Sequence, residues 1–154
     1  MLSLKKIFIR KLETRILIES SIDHIWDVLM DFPSYGQWNP FLPEVSGQVF
    51  PGSKIKIVIC TENKKQNYTV QIIQVHKPFS LTWLGYFGFP GIIDGHHQFL
   101  LEDAAEGKVL FRHEEIFQGL LVPLVWTSFL NRHLKKGFEQ MNLALKFRCE
   151  TRQR

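Results

Sequence analysis

Two histidines and a glutamate fall on two neighbouring extended segments late in the chain, His97 on the first and His113 and Glu115 on the second. Side chains alternate between the faces of a strand, so His113 and Glu115 point the same way. In the second segment Val109, Phe111, His113, Glu115 and Phe117 share one face; Leu110, Arg112, Glu114 and Ile116 share the other. In the first, Ile93, Gly95, His97, Phe99 and Leu101 share a face. The two more aromatic faces are expected to point inward. With the turn centred on Ala105, His97 faces His113 and Gly95 faces Glu115. Two imidazoles and a carboxylate then line the interior together. Imidazole and carboxylate are suitable ligands for zinc or iron, and a His–Glu pair can act as a general base. The same groups can also hydrogen-bond one another and orient the polar end of a ligand. A cross-strand pair lacks the third and fourth ligands of a structural zinc, so no metal or other cofactor is expected. Polar lining is the favoured reading, with His97, His113 and Glu115 the candidates if there is catalysis. The neighbouring His96 points to the opposite face, is read as solvent-facing, and makes no chelate with His97.

A set of large apolar side chains surrounds this polar cluster in the sequence. Trp83, Phe87, Phe89, Trp126 and Leu130 are candidate walls of a cavity, joined by Phe99 and Phe111 from the two inward faces. Together with His97, His113 and Glu115 they form the expected ligand-binding set. Phe138, Met141 and Leu145 are assigned to plain core packing. The run Phe87-Gly88-Phe89-Pro90-Gly91 combines aromatic and flexible residues, which suits a lid over a pocket and equally a contact with a partner or a membrane surface. Trp26 and Trp38 are read as fixing helices to the sheet. No Ser–His–Asp order, Gly-rich phosphate loop or paired-cysteine motif is present.

The elements that must position these residues follow from periodicity. Leu12 to Ile18 reads as a strand. Ser20-Ser21 supplies an N-cap, with Asp23 three residues after Ser20 in the manner of a capping box. Ile22, Ile25, Trp26 and Leu29 recur at helical spacing, predicting a short helix to about Asp31 that Pro33 ends. A second helical turn is expected between Pro33 and Phe41. Strands follow over Val45 to Phe50, Lys54 to Thr61, Gln66 to His76, Leu81 to Tyr86, Ile92 to Glu102 and Lys108 to Phe117, with turns between them. From Leu120 the period changes: Trp126, Leu130, Leu134, Phe138, Met141 and Leu145 mark one face of a helix of about 27 residues, ~40 Å long. Helices segregated around a block of strands predict an α+β fold, a single domain over 1–154 with its core at about 12–150.

Composition narrows the function classes. The 154 residues are 45% hydrophobic and 22% charged, ordinary for a globular chain, with thirteen Phe, four Trp and three Tyr. The formal charge of +4 sits partly in the two ends and forms no basic stripe interleaved with aromatics, so nucleic acid is not expected as a partner. Two distant cysteines, Cys60 and Cys149, suit a reducing compartment. There is no adequate signal-peptide core and no apolar run long enough to span a membrane, so a cytoplasmic protein is expected.

Three segments resemble the START-like (SRPBCC) helix-grip superfamily, which includes polyketide cyclases, plant pathogenesis-related allergens and lipid-transfer domains. They are Ile22 to Leu29 with Asp31-Phe32-Pro33-Ser34-Tyr35 and Trp38-Asn39-Pro40-Phe41; Gly95 to Glu102 with His113 to Leu121; and Gly137 to Lys146. The likeness runs from about Thr14 to Glu150 and is nearest to a bacterial polyketide-cyclase-like branch. It implies a sheet of about seven strands curled around the long C-terminal helix, two short helices after the first strand, and a cavity between sheet and helix. Three functions are compatible with it. The first is binding or transport of a small hydrophobic or amphipathic ligand, such as a lipid, quinone, polyketide or aromatic compound. The second is a cyclase- or dehydratase-type enzyme. The third is a protein- or membrane-interaction module, in which peripheral membrane contact is possible. No catalytic residue carries over from the family to this chain.

Overall fold

The computed structural model describes residues 8–62 and 64–151, and only the backbone of 128–130. Strand β1 (Phe8–Ile18) is followed by helix α1 (Ile22–Met30) and a 3₁₀ turn at Phe32–Gln37. Then come β2 (Glu44–Ser46), β3 (Lys54–Thr61), β4 (Lys64–His76), β5 (Ser80–Tyr86), β6 (Asp94–Asp103) and β7 (Val109–Gly119). Helices α2 (Val122–Val125) and α3 (Ser128–Thr151) end the described chain. All seven strands form one antiparallel sheet in the order β1-β7-β6-β5-β4-β3-β2, so the first strand returns beside the last. The expected α+β helix-grip architecture is the one observed.

Local chemistry explains the boundaries, including those that differ from expectation. Ser21, not Ser20, caps α1: its side chain accepts from the His24 backbone N–H at 3.2 Å, so Asp23 falls one position short of a capping box. The strand expected over Val45 to Phe50 stops at Ser46, because the next residue, Gly47, leaves the extended region at φ 131°. The C-terminal helix is not one piece of 27 residues. Pro123 opens the short α2, Trp126 leaves helical geometry at ψ 65°, and helix resumes at Ser128. The remaining 24 residues of α3 still run ~36 Å.

The inner face of the sheet and one stripe of α3 make the core. Phe138, Met141, Asn142, Leu145 and Cys149 are buried on the helix, opposite Leu12, Ile18, Leu81, Phe99 and Phe111 on the strands. Trp26 is buried in the core, and Trp38, partly buried at its margin, packs on Tyr35 with ring centroids 5.0 Å apart. On the outer face of β7, Glu114 is covered by Lys11 at 3.2 Å and Arg112 at 3.3 Å. No helix among the described residues is long and apolar enough to cross a membrane.

Candidate functional site

The β6–β7 hairpin sets the site, and its register differs from the expected one. Its turn runs through Glu106 and Gly107, both at positive φ (64° and 70°), and closes Asp103 against Val109. The turn therefore centres on Glu106 instead of Ala105, which slides every pair by two positions and leaves the faces unchanged. His97 faces Glu115, Phe99 faces His113, and Gly95 faces Phe117. His97 and His113 still meet, now along the diagonal, with their Nε2 atoms 3.0 Å apart.

The polar groups continue inward as a chain. His113 Nδ1 lies 3.1 Å from Asn142 Oδ1 on α3, and Asn142 Nδ2 donates to Thr14 Oγ1 on β1 at 2.8 Å. The Thr14 hydroxyl in turn reaches the His113 carbonyl at 3.5 Å. At the other end His97 Nδ1 is 3.6 Å from Glu115 Oε2. Aromatic faces clamp both imidazoles: Trp83 stacks on His97 at 4.5 Å with planes 1° apart, and Phe138 on His113 at 3.7 Å and 5°. Burial without a cationic partner governs the protonation of the cluster. Desolvation pushes the Glu115 carboxyl up to about 8, against a small opposing pull from His96. It lowers His97 to about 3. His113 is held well below its ordinary value by burial and by His97, with the Asn142 hydrogen bond opposing. Burial thus favours the uncharged form of all three groups.

A cavity of about 340 Å³ opens beside this chain, between β3, β4, β7 and the start of the helical segment. Its walls are mostly apolar, formed by Ile59, Tyr68, Phe87, Phe117, Val122, Val125, Trp126 and Leu134, with Lys64, Gln66 and His133 also contributing. Glu115 and Phe87 border both this cavity and a small void of about 20 Å³ that reaches Trp83 and His97. Glu115 is thus the hinge between the open space and the buried chain.

The candidate residues fall into four groups. Phe87, Trp126 and Glu115 line the cavity, and Trp83 and His97 line the void behind it. Phe99, Phe111 and His113 are sealed in the core, on the inward face as expected but behind the cavity wall. Phe89 is 81% exposed at the loop tip and lines neither space, because the loop turns it outward between Gly88 and Gly91, both at positive φ. The Leu130 side chain lies outside the described residues. His96 lies on the opposite face from His97, half-buried and not fully solvent-facing. Sequence reasoning missed Thr14 and Asn142. Asn142 does leave a signal, a polar residue on the stripe of Phe138, Met141 and Leu145, and such a residue demands a buried partner.

No protein-family model matches the chain, and no curated protein matches it. Solved structures do. An aromatase/cyclase, ZhuI from Streptomyces sp. R1128, superposes with TM-score 0.77 at 13% identity, covering 96% of this chain and 97% of its own. A START superfamily protein from Mycobacterium smegmatis gives 0.72 at 14%, covering 92% and 97%. Ara h 8.0201 gives 0.70 at 14%, covering 94% and 99%. The chain has the helix-grip fold of these proteins, in agreement with the resemblance read from its sequence, and at such identities the likeness is one of fold.

Proposed function

We propose that this helix-grip protein binds a small amphipathic molecule, its apolar body in the cavity beside Trp126 and Leu134 and its polar end against Glu115. The observation that carries this reading is the cavity of about 340 Å³ with mostly apolar walls and one buried carboxyl. An apolar cavity of about 150 Å³ is enough for benzene, so this one suits a molecule of two or three rings or a short chain. A pure hydrocarbon would leave the carboxyl without a partner, which costs on the order of 1–3 kcal/mol. Similarity in fold to a START superfamily protein and an aromatase/cyclase supports a ligand of this kind.

A second reading, proton transfer of the cyclase or dehydratase type, is favoured by one feature. A carboxyl that titrates at about 8 on a cavity wall is poised to give or take a proton near neutral pH. Native mass spectrometry of protein from cells, followed by organic extraction, tests the binding reading. A co-purifying apolar compound is expected, lost from a folded Leu134→Trp variant that fills the cavity. An empty wild type that takes up no ring or acyl compound at micromolar concentration would overturn it. Turnover that disappears in Glu115→Gln while binding persists would make the protein an enzyme.

A further inference from the structure

Asn142 and His113 touch neither the cavity nor its mouth, yet a series of hydrogen bonds ties them to His97, whose free ring nitrogen lies 3.6 Å from Glu115. Its direction can be read from the far end. The Thr14 hydroxyl donates to the His113 carbonyl at 3.5 Å, so its lone pair is what receives Asn142 Nδ2 at 2.8 Å. That contact turns Asn142 Oδ1 toward His113 Nδ1 at 3.1 Å, and an oxygen there needs a hydrogen on the nitrogen. A neutral His113 with its proton on Nδ1 has a bare Nε2. His97 must then place its own proton on Nε2 to make the 3.0 Å contact between the rings. Its Nδ1 is left bare, 3.6 Å from Glu115 Oε2. At this distance, beyond hydrogen-bond reach, the nitrogen's lone pair still repels a carboxylate and tolerates a neutral carboxyl.

We propose that Asn142 is a positioning residue for Glu115: by holding both buried imidazoles in one tautomer order, it presents a bare His97 Nδ1 to the carboxyl and so keeps Glu115 in its neutral form. The opposite order would keep the ring contacts with Asn142 turned over and Thr14 donating to it in place of the His113 carbonyl, but it would aim an N–H at Glu115 and call for an anion there. The described residues bring no lysine or arginine within ion-pair reach of that carboxyl, and an uncompensated buried charge costs several kcal/mol. The stacked faces of Trp83 and Phe138 hold the rings in place, so the order cannot be changed by turning an imidazole away. The other titratable groups around Glu115 are Tyr68 on β4, Lys64 and His133 on the cavity wall, and His96 on the far face of β6. Among the titratable groups of the described residues, only His97 comes within ion-pair distance of the carboxyl. This inference deepens the binding reading: a ligand in the cavity meets a neutral carboxyl and needs a neutral polar end, a hydroxyl, carbonyl or amide.

The test is nitrogen-15 NMR of histidine-labelled protein without ligand, which distinguishes Nδ1–H from Nε2–H, with carbon-13 detection of the Glu115 carboxyl. At pH 6 to 7 the expected result is His97 protonated on Nε2, His113 on Nδ1, and a protonated Glu115. In Asn142→Leu both imidazoles should reverse and the Glu115 midpoint should fall by about one pH unit or more. If that variant does not fold, Thr14→Val, which frees the Asn142 amide to turn, should give the same reversal in part. His97 carrying its proton on Nδ1 in the wild type would sink the proposal, as would a Glu115 midpoint unmoved in a folded Asn142→Leu. No ligand enters these measurements. The expected tautomers in a protein that takes up nothing would defeat the binding reading and leave this one standing.

Discussion

Around the middle of α3 the helix and the sheet meet through interlocked rings, whereas toward its N-terminal end they stand apart around a cavity. Strand β7 borders both regions, while β6 carries rings of the filled one and β3 and β4 wall the hollow one. In the filled region Phe41, His97, His113 and Phe138 stack or meet edge to face, with Phe41 and Phe138 centroids 5.3 Å apart. Gly137 permits this: a Cβ there would sit 2.3 Å from Phe41 Cδ2. Gly85 and Gly95 face each other on adjacent strands beside the small void, where a Cβ on Gly95 would sit 2.7 Å from Glu115 Oε1, so Gly95 makes room for that carboxyl. The interruption at Trp126 and Thr127 divides the helical segment at the cavity end. In the filled region an aromatic ring laid over a glycine closes the groove, and the cavity lies beside the break in the helical segment.

The contrast can be broken most forcefully from the filled side. Phe138→Ala removes the ring that stacks on His113 and should cost about 3–5 kcal/mol, read as a lowered urea midpoint. A loss near 1 kcal/mol would mean that the filled region is as loose as the hollow one. Gly137→Ala should cost about 1–3 kcal/mol by forcing Phe41 off the helix, and the double variant Gly137→Ala with Phe41→Leu should recover part of it.

The pH dependence separates the two regions by their buried groups. Glu115 titrates at about 8 when folded against an ordinary 4.5, so between these values the folded state holds a proton that the unfolded state has released. Stability should therefore fall as pH rises through that window, by up to about 1.4 kcal/mol per unit, and Glu115→Gln should flatten the fall. His97 works in the other direction. It is lowered to about 3 from 6.5, and its share of stability is lost as pH drops below 6.5. A denaturation series that climbs steadily from pH 6.5 to 8 would contradict the Glu115 assignment. The smallest effect is expected on the hollow side, where Leu134 already borders empty space. Leu134 is half-buried, so Leu134→Ala should cost only about 1 kcal/mol while admitting a larger ligand, measured as a changed size preference among bound ring compounds.

Much of this molecule is legible in the chain. The alternation of Ile55, Ile57 and Ile59 gives β3 to the residue, and the periodicity of Phe138, Met141 and Leu145 gives the buried stripe of α3. The inward faces of β6 and β7 also follow, because alternation along a strand survives an error of two in register. What escaped were features set by backbone conformation at single residues: the turn at Glu106, the end of β2 at Gly47, and the break at Trp126. Local propensities at those positions are weak, and the energy that decides them comes from packing elsewhere.

The same division holds for the two histidines and the glutamate. By itself the sequence determined that His97, His113 and Glu115 turn to the inside of a curved sheet, since a period of two admits no other grouping. Only the tertiary structure decided that His113 is sealed against Asn142 and Phe138 while Glu115 opens on a cavity. Which partner meets each group depends on where α3 lies across the sheet, and long-range packing sets that placement, not the residues of the hairpin.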